Sequence, residues 1–384
     1  MDGLASTAAW NDTAMTGALF APLAVGALTL PNRIIMPALT RMRASADGVP
    51  QSISADYYRQ RASAGLIITE ATAISVQAHG YPQMPGIHTT EQMNGWRRVT
   101  EAVHAEGGRI ALQIVHHGRW SHSLYNPDGS LPVAPSAIAA TGMIYTPSFA
   151  QVAYETPRAL DTTELPALVA GFHQAARNAV AAGFDAVEIH SANGFLIDQF
   201  LQDGSNHRTD RYGGTIENRA RLLLEVVDAV AGEIGPGRTA VRLSPHGNLG
   251  GLTDSDTVPH FSYAIEQLSE RAIAWLHLIE PRASSAGIAD DASVDSADNL
   301  QLFRHIFDGR VITAGGYVPE SGAAIVAVGL ADAVGFGRLF IANPDLPERI
   351  RTGAVLNTFD RTTSYGGGAH GYTDYPMLDA GRDR

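Results

Sequence analysis

Two polar residues stand three positions apart directly after the short apolar segment AVEI: His190 and Asn193. An imidazole and an amide at this spacing, at the end of one strand, can both donate hydrogen bonds to a single ligand oxygen, as in carbonyl or anion polarisation. A third polar residue, Arg242, interrupts the apolar segment AVRLSP. Because burying an arginine without an anionic partner is costly, we expect Arg242 to meet a bound ligand or to pair with Glu188 in the core. These residue types indicate a site for an oxygen-bearing organic ligand.

Metal binding is the competing interpretation of the histidines. His116, His117 and His190 have no carboxylate at ligand spacing, and the chain contains neither an H-E-x-x-H motif nor a facial-triad pattern. A histidine satisfied within the core is the purely structural alternative. The chain has no cysteine, which excludes thiolate ligands, disulfides and a thiol nucleophile. We therefore expect no metal centre.

Glycine-rich turns end two later apolar segments, ITAGG and AVGFGR. Glycine leaves backbone N–H groups open to a ligand, and in barrel enzymes the loops after the last two strands often bind a phosphate. We assign this function to Gly315, Gly316, Gly337 and Arg338, whose guanidinium adds positive charge. A tight strand-to-helix corner also favours glycine, but two such turns in succession with an arginine favour phosphate binding.

The elements that position these residues alternate along the chain, a short β-branched segment followed by a longer helix-like one. Nearly continuous apolar strands are typical of a parallel sheet covered on both faces, and eight such units close as a TIM barrel. The predicted fold is therefore α/β, a single (β/α)8 TIM barrel. An open doubly wound sheet is the alternative, weakened because no G-x-G-x-x-G follows the first strand. The predicted strands are 33–39, 65–71, 109–116, 186–190, 239–244, 275–280, 310–316 and 333–338.

Further polar residues follow the predicted strands, at the end of the barrel where such enzymes place their sites. Thr40 follows the first strand, Tyr81 lies in the loop after the second, and Gln113 is near the end of the third. A turn cap accounts equally well for Thr40, and a polar strand end for Gln113. Position alone therefore leaves both functions open.

The chain of 384 residues is longer than the roughly 250 typical of a bare barrel. We assign the excess to a long excursion after strand three, residues 117–163, and to extended termini. Residues 1–15 are predicted to be a flexible extension, 16–378 the barrel and 379–384 a tail. The first fifteen residues do not resemble a secretory signal, and no segment approaches the ~20 apolar residues of a membrane helix. We expect a cytoplasmic protein with no membrane partner.

Composition excludes several chemistries. All 27 basic residues are arginine, so lysine Schiff bases and the P-loop lysine are excluded. Class I aldolases and enzymes that anchor pyridoxal phosphate on a lysine are thereby removed. The formal net charge of −12, with arginines spread along the chain, argues against nucleic acid as a partner.

Nine motifs in chain order make residues 19–378 resemble the old yellow enzymes, FMN-dependent ene-reductases built on a TIM barrel. Those that carry most of the likeness are LQIVHHGR, HSANGFLIDQFL, VRLSPHG, ITAGGY and GFGRLFIANPDLPERI. The others are LFAPLAVGALTLPNRIIMPALTRMRA, YYRQRASAGLIITEAT, NHRTDRYGGTIENRARLLLEVVDAV and YGGGAHGYTDYP. The resemblance implies FMN as resident cofactor and NADPH or NADH as a transient hydride donor that enters the same pocket.

The resemblance also implies a function for each matching residue. Thr40 and Gln113 would contact the flavin ring, and Arg242 would neutralise charge at its N1/C2 edge. His190 and Asn193 would hydrogen-bond the carbonyl or nitro oxygen of an activated alkene, which stabilises charge that develops during hydride transfer. The full cofactor-binding set is Pro37, Ala38, Thr40, Gln113, Arg242, Gly315, Gly316, Gly337 and Arg338, and the substrate-pocket set is Tyr81, Val115 and Tyr365.

Three departures from the family pattern bear on function. Phe195 stands where the family usually has the tyrosine that protonates the α-carbon, and general acid catalysis contributes roughly 10²–10⁴ in rate. Val115 replaces a frequent tryptophan, which should leave more room beside the flavin. The segment MPALTR, where MAPLTR is frequent, shifts Pro37 by one position and should alter the backbone before Thr40.

The function expected from these observations is ping-pong reduction of enones, enals or nitroalkenes with NAD(P)H. Without a tyrosine at position 195, alkene isomerisation or desaturation on the same scaffold is the alternative. A catalytically idle flavin-binding barrel is a further one, opposed by the intact pair of His190 and Asn193. The partner is then a small activated alkene, and the protein is a monomer or homodimer.

Overall fold

The computed structural model describes residues 16–281 and 298–378, in which eight parallel strands form a closed barrel. The barrel closes where Val334 of the last strand pairs with Ile34 of the first. This confirms the predicted TIM barrel. The strands are β1 Ile34–Met36, β2 Leu66–Ile68, β3 Ile110–Val115, β4 Ala186–His190, β5 Thr239–Leu243, β6 Trp275–Ile279, β7 Arg310–Ala314 and β8 Ala333–Gly335.

Several strands end earlier than predicted. β1 ends at Met36, because Pro37 has no backbone N–H to continue the ladder. β8 ends at Gly335, and a short helix already begins at Gly337. The residues predicted as strand ends therefore form the loops at the mouth of the barrel. The expected N-terminal extension and C-terminal tail lie outside the described residues.

Helices follow most of the strands and cover the outside of the barrel. The long ones are amphipathic, with buried residues such as Leu222, Leu223 and Val226 facing the sheet. None of the described helices is long and apolar enough to cross a membrane. The helices are α1 Ser52–Arg59, α2 Thr90–Ala105, α3 Leu165–Ala181, α4 Leu196–Leu201, α5 Ile216–Ile234, α6 Thr257–Glu270, α7 Asn299–Phe303, α8 Pro319–Ala327, α9 Gly337–Ala342 and α10 Leu346–Thr352.

The inside of the barrel changes from apolar to polar along its axis. At the amino-terminal end, residues such as Ala111, Ala186 and Trp275 pack against a hairpin formed by Leu23–Val25 and Leu28–Leu30. Side chains alternate along a strand, so the residues two positions further on also point inward. Those residues include Gln113, Glu188, Arg242 and His277. A polar layer therefore lies directly beneath the carboxyl-terminal mouth.

The excursion after β3 folds over this mouth, as predicted. It contains the antiparallel strands Met143–Tyr145 and Gln151–Ala153, and two short strands, Val133–Ala134 and Arg158–Ala159, that pair in parallel. Two hydrogen bonds to one carbonyl of the loop after β5 hold it to the rim. The Thr141 backbone N–H and the Arg119 guanidinium, at 3.2 Å, both donate to the Gly250 carbonyl.

Candidate active site

Glu188 is the centre of the buried polar layer. Its carboxylate accepts hydrogen bonds from Gln113 Nε2 at 2.8 Å, Trp275 Nε1 at 3.0 Å and His277 Nδ1 at 2.9 Å. Burial by itself raises the pKa of Glu188, but His277 and the other donors outweigh burial and lower it. The carboxylate is therefore held ionised: Oε2 accepts from Trp275 and His277, and Oε1 fixes the position of the Gln113 amide.

Arg242 lies next to this carboxylate without bonding to it. No hydrogen bond or ion pair joins the two side chains, so the alternative of a core ion pair with Glu188 is not what the structure shows. The buried Nε of Arg242 has no partner among the described residues. Burial lowers its pKa, and the charge of Glu188 opposes this. A buried cation in this state favours an anionic ligand.

His190 ends β4 at the same level and is neutral. Its pKa lies well below the ordinary value, first because of burial and then because of the nearby charge of Arg242. The buried Nδ1 atom has no hydrogen-bond partner within the described residues. A neutral imidazole can donate one hydrogen bond to a ligand oxygen without bringing a second positive charge.

The turn after β4 holds Asn193 in a strained, left-handed conformation, with φ of 59°. The Asn193 backbone N–H donates to Ser244 Oγ at 2.8 Å, and Ser244 in turn donates to Asp198. Asp198 also accepts from the Gly194 backbone N–H at 2.8 Å and from Gln202 Nε2 at 2.9 Å. Asp198 and Ser244 therefore fix the turn that brings Asn193 to the mouth.

Phe195 occupies the middle of an aromatic cluster beside His190. The centre of its ring lies 4.5 Å from His117, 4.7 Å from His190, 6.1 Å from Trp120 and 6.4 Å from Tyr81. All four contacts are edge-to-face. His190, Phe195 and Tyr81, which the sequence predicts to share a pocket, are thus brought together.

The residues predicted to bind the cofactor lie around the mouth. Ala38 and Thr40 are half-buried, and Arg338 is exposed. Gly315 and Gly316 have φ of 131° and 68°, values that favour glycine. These residues bring glycine backbone and an arginine side chain to the ends of β1, β7 and β8.

Packing also explains the predicted Gly337 and its neighbour Gly335, which is not in the predicted cofactor-binding set. A Cβ on Gly337 would lie 3.1 Å from the Leu39 side chain, and one on Gly335 would lie 3.2 Å from that of Pro37. The tight corner considered as an alternative for these glycines is therefore present as well. Val115 is fully buried in the core, so its contact with a substrate stays a prediction.

Tyr365 is 41% exposed on a C-terminal loop that two arginines hold to the rim. Arg41 donates to the carbonyls of Ser364 at 2.9 Å and Gly371 at 2.7 Å. Arg43 donates to Ser364 as well, at 3.2 Å. Sequence reasoning missed Arg41 and Arg43, although two arginines directly after Thr40 were a visible signal; it also missed Asp198, Ser244, Trp275 and His277.

The mouth fits the chemistry of FMN. Arg242 offers a buried positive charge to an anionic ring edge, and Gln113, whose amide N–H binds Glu188, presents its carbonyl oxygen as an acceptor for a ring N–H. The exposed Gly316 and Arg338 offer an N–H and a charge for a phosphate. By contrast, no group of three or more metal-ligating side chains occurs in residues 16–281 and 298–378.

Comparisons with known proteins agree with this assignment. Residues 18–357 match the model of the NADH:flavin oxidoreductase / NADH oxidase family. The chain is 44% identical to 12-oxophytodienoate reductase 1 of Oryza sativa subsp. japonica over 364 residues, 94% of this chain and 93% of that protein.

Two solved structures are also similar. Morphinone reductase in complex with tetrahydroNAD is 50% identical, with a TM-score of 0.89, covering 95% of this chain and 99% of the other. The old yellow enzyme homologue from Zymomonas mobilis is 45% identical, with a TM-score of 0.89, covering 94% and 99% of the two chains.

Fold, site and comparisons define the class of protein: an FMN-dependent oxidoreductase on a (β/α)8 barrel that takes its hydride from a nicotinamide donor. The chain belongs to the NADH:flavin oxidoreductase / NADH oxidase family, and within it to the old yellow enzymes. The resemblance seen in the sequence is thereby confirmed.

Proposed function

We propose that this protein reduces activated alkenes, namely enones, enals or nitroalkenes, with NADH or NADPH. The observation that supports this most strongly is the neutral, unpartnered His190 beside the fixed turn of Asn193 and the buried cation Arg242. FMN, when bound, supplies the hydride from its N5 position. The residues of the chain bind and orient the substrate and the cofactor.

His190 and Asn193 bind the carbonyl or nitro oxygen of the substrate and orient its β-carbon toward the hydride. Negative charge develops on that oxygen as the hydride arrives, so the two donors stabilise the transition state more than the ground state. Their positions are fixed by β4 and by the bonds of the turn to Ser244 and Asp198, so little reorganisation is needed during the reaction.

Gln113 and Arg242 bind the ring edge of the cofactor, with Pro37, Ala38 and Thr40 beside the ring. Gly315, Gly316, Gly337 and Arg338 bind its phosphate. Tyr81, Val115 and Tyr365 line the substrate side. The names of the two reductases compared above refer to oxo compounds, 12-oxophytodienoate and morphinone, which supports an oxo group as the feature recognised here.

Stopped-flow absorbance under anaerobic conditions tests the proposal. The holoenzyme is reduced with NADPH or NADH, then mixed with 2-cyclohexenone, and the product is identified. We expect reduction of the flavin, reoxidation by the enone and formation of cyclohexanone. Flavin that the nicotinamides reduce but no activated alkene reoxidises would refute the proposal.

Isomerisation or desaturation is the second candidate, and Phe195 is the observation that favours it, since a phenyl ring cannot donate a proton. Product mass distinguishes the reactions. Isomerisation leaves the substrate mass unchanged and consumes no stoichiometric NAD(P)H, whereas reduction adds two hydrogens for each nicotinamide oxidised.

A further inference from the structure

Reduction of a C=C bond forms two C–H bonds, one from the hydride and one from a proton. The inference below rests on the proposed function, since it concerns the second of these hydrogens. Phe195 lies beside His190 and has no exchangeable hydrogen, so the proton comes either from water or from another group near the same ring. The aromatic cluster around Phe195 contains four side chains with a polar hydrogen: His190, His117, Trp120 and Tyr81.

Two of these four are already committed elsewhere. His190 is needed for the substrate oxygen. His117 bonds through Nδ1 to the Ala78 carbonyl at 2.7 Å, which places its one proton on Nδ1. Burial lowers the pKa of His117 to about 3, so Nε2 carries no proton at neutral pH. His117 can therefore accept a hydrogen bond in the pocket but cannot supply a proton there.

Trp120 is excluded by its chemistry and its position. An indole N–H is a hydrogen-bond donor that does not ionise under working conditions. Its nitrogen lies against the backbone of Gly194, 2.8 Å from where a Cβ on that residue would stand. The Trp120 nitrogen is thus buried between Gly194 and Gly250, without a hydrogen-bond partner among the described residues.

Tyr81 is the group that remains. Its ring packs edge-to-face on His117 at 4.7 Å and on Phe195 at 6.4 Å, so it borders the ring that replaces the family's tyrosine. Its hydroxyl makes no hydrogen bond to any described residue, and Tyr81 is half-buried. Burial, with smaller contributions from Tyr154 and Tyr365, raises its pKa well above the ordinary value. The hydroxyl therefore stays protonated over the working pH range.

We propose that the Tyr81 hydroxyl donates the proton to the α-carbon of the substrate. Once the β-carbon has gained the hydride, the former π electrons rest on the α-carbon and the carbonyl oxygen, which His190 and Asn193 stabilise. That electron pair forms the new α-C–H bond with the hydroxyl proton as the O–H bond breaks. The phenolate that remains takes a proton from water, so the cycle consumes one hydride and one proton.

The test compares the Tyr81→Phe holoenzyme with wild type in the two half-reactions. Flavin reduction by NADPH should stay within about twofold, because no proton is transferred to an alkene in that step. Reoxidation by 2-cyclohexenone should fall by roughly 10²-fold, the lower end of what a general acid contributes. Tyr154→Phe is the matched control, because this tyrosine packs on Trp120 and not on Phe195, and it should change neither rate by more than about threefold.

A rescue variant separates proton donation from a structural function. Phe195→Tyr in the Tyr81→Phe background supplies a phenol at the position of the family's tyrosine, beside His190, and we expect it to recover most of the lost reoxidation rate. Fluorescence titration of each apoprotein with FMN should give dissociation constants within about twofold of wild type, which shows that the pocket is intact.

Three results would overturn the inference: an unchanged reoxidation rate in Tyr81→Phe, loss of FMN affinity in parallel with the rate, or failure of the added tyrosine to rescue. None of these affects the proposed function, because wild type would still reduce the enone. If wild-type flavin is reduced but no activated alkene reoxidises it, the proposed function itself fails, and the inference with it.

Discussion

Replacing the buried Asp198 with asparagine should make the protein more stable at alkaline pH. Asp198 lies under the Asn193 turn, where burial raises its pKa from 3.8 to about 7, despite hydrogen bonds from Gln202, Gly194 and Ser244. Asparagine has the same shape and can keep an oxygen toward the Gly194 N–H, but it is never charged. The substitution removes the cost of burying a carboxylate. It also replaces the oxygen that accepts from Gln202 Nε2 by an N–H₂ group, to which the Gln202 side chain can offer its own oxygen after turning.

The size and sign of the effect follow from the pKa of Asp198 in the unfolded chain, 3.8, and in the folded protein, about 7. The folded state binds this proton more tightly than the unfolded state, so the contribution of Asp198 to stability is greatest below pH 4 and is lost as the pH rises to about 7. At 1.36 kcal/mol per pH unit, the interval from 3.8 to about 7 corresponds to ~4 kcal/mol. Asp198→Asn should lack this loss, and should gain roughly 3 kcal/mol on wild type between pH 5 and pH 8.

Urea denaturation of both proteins at pH 5 and pH 8, at one saturating concentration of FMN, measures the difference. Comparing the two proteins at each pH cancels every other titrating group. Asp254→Asn is the control of opposite sign: His260 and Arg219 outweigh burial and lower the pKa of Asp254, so this variant should lose stability at pH 8. An Asp198→Asn protein whose relative stability does not change between the two pH values would refute the reasoning.

Three other substitutions test the polar layer and the loop above it. Glu188→Gln removes a negative charge beside Arg242 and should raise the midpoint potential of bound FMN, measured by spectroelectrochemical titration. The expected rise is roughly 30 mV for each ~1.4 kcal/mol of repulsion lost between residue 188 and the negative charge of the reduced flavin. Trp275→Phe removes a hydrogen-bond donor but no charge, and should leave the potential unchanged. Arg242→Gln should weaken FMN binding by about 10²-fold in fluorescence titration, because the anionic ring edge loses its cation. Arg43→Met should speed proteolytic cleavage within residues 363–371 while leaving FMN affinity within about twofold, since four of the five hydrogen bonds of this side chain go to that loop and the fifth goes to the Arg41 carbonyl.

The barrel was predictable from sequence because almost all residues of its strands are buried, so the strands read as nearly continuous apolar segments. Strand ends were less predictable. Segments 33–39 and 333–338 are apolar beyond the last paired residue, but Pro37 and the glycines turn the chain away at the mouth. Hydrophobicity alone does not distinguish a strand from the apolar start of a loop.

The polar layer shows what single-sequence reasoning cannot reach. Glu188 was visible as a partner for Arg242, but its real partners, Trp275 and His277, lie 87 and 89 residues further along the chain. Nothing in either segment indicates that the two strands approach with this register. His190, Asn193 and Gln113 could be found because polar side chains at the carboxyl end of a predicted barrel strand indicate a site. A supporting residue such as Ser244 does not differ in sequence from an ordinary polar residue.

Closure of the barrel has a consequence for how the protein is made. Val334 pairs with Ile34, and Arg41 bonds to Ser364, 323 residues downstream. At about 5–20 residues per second, the ribosome needs roughly 15–60 s to make the chain between the two paired strands. During that interval β1, already synthesised, has one edge without its β8 partner, and the rim lacks the loop that contains Ser364. FMN is therefore expected to bind after synthesis is complete. The unpaired edge of β1 is the segment that chaperones must protect until β8 has been made.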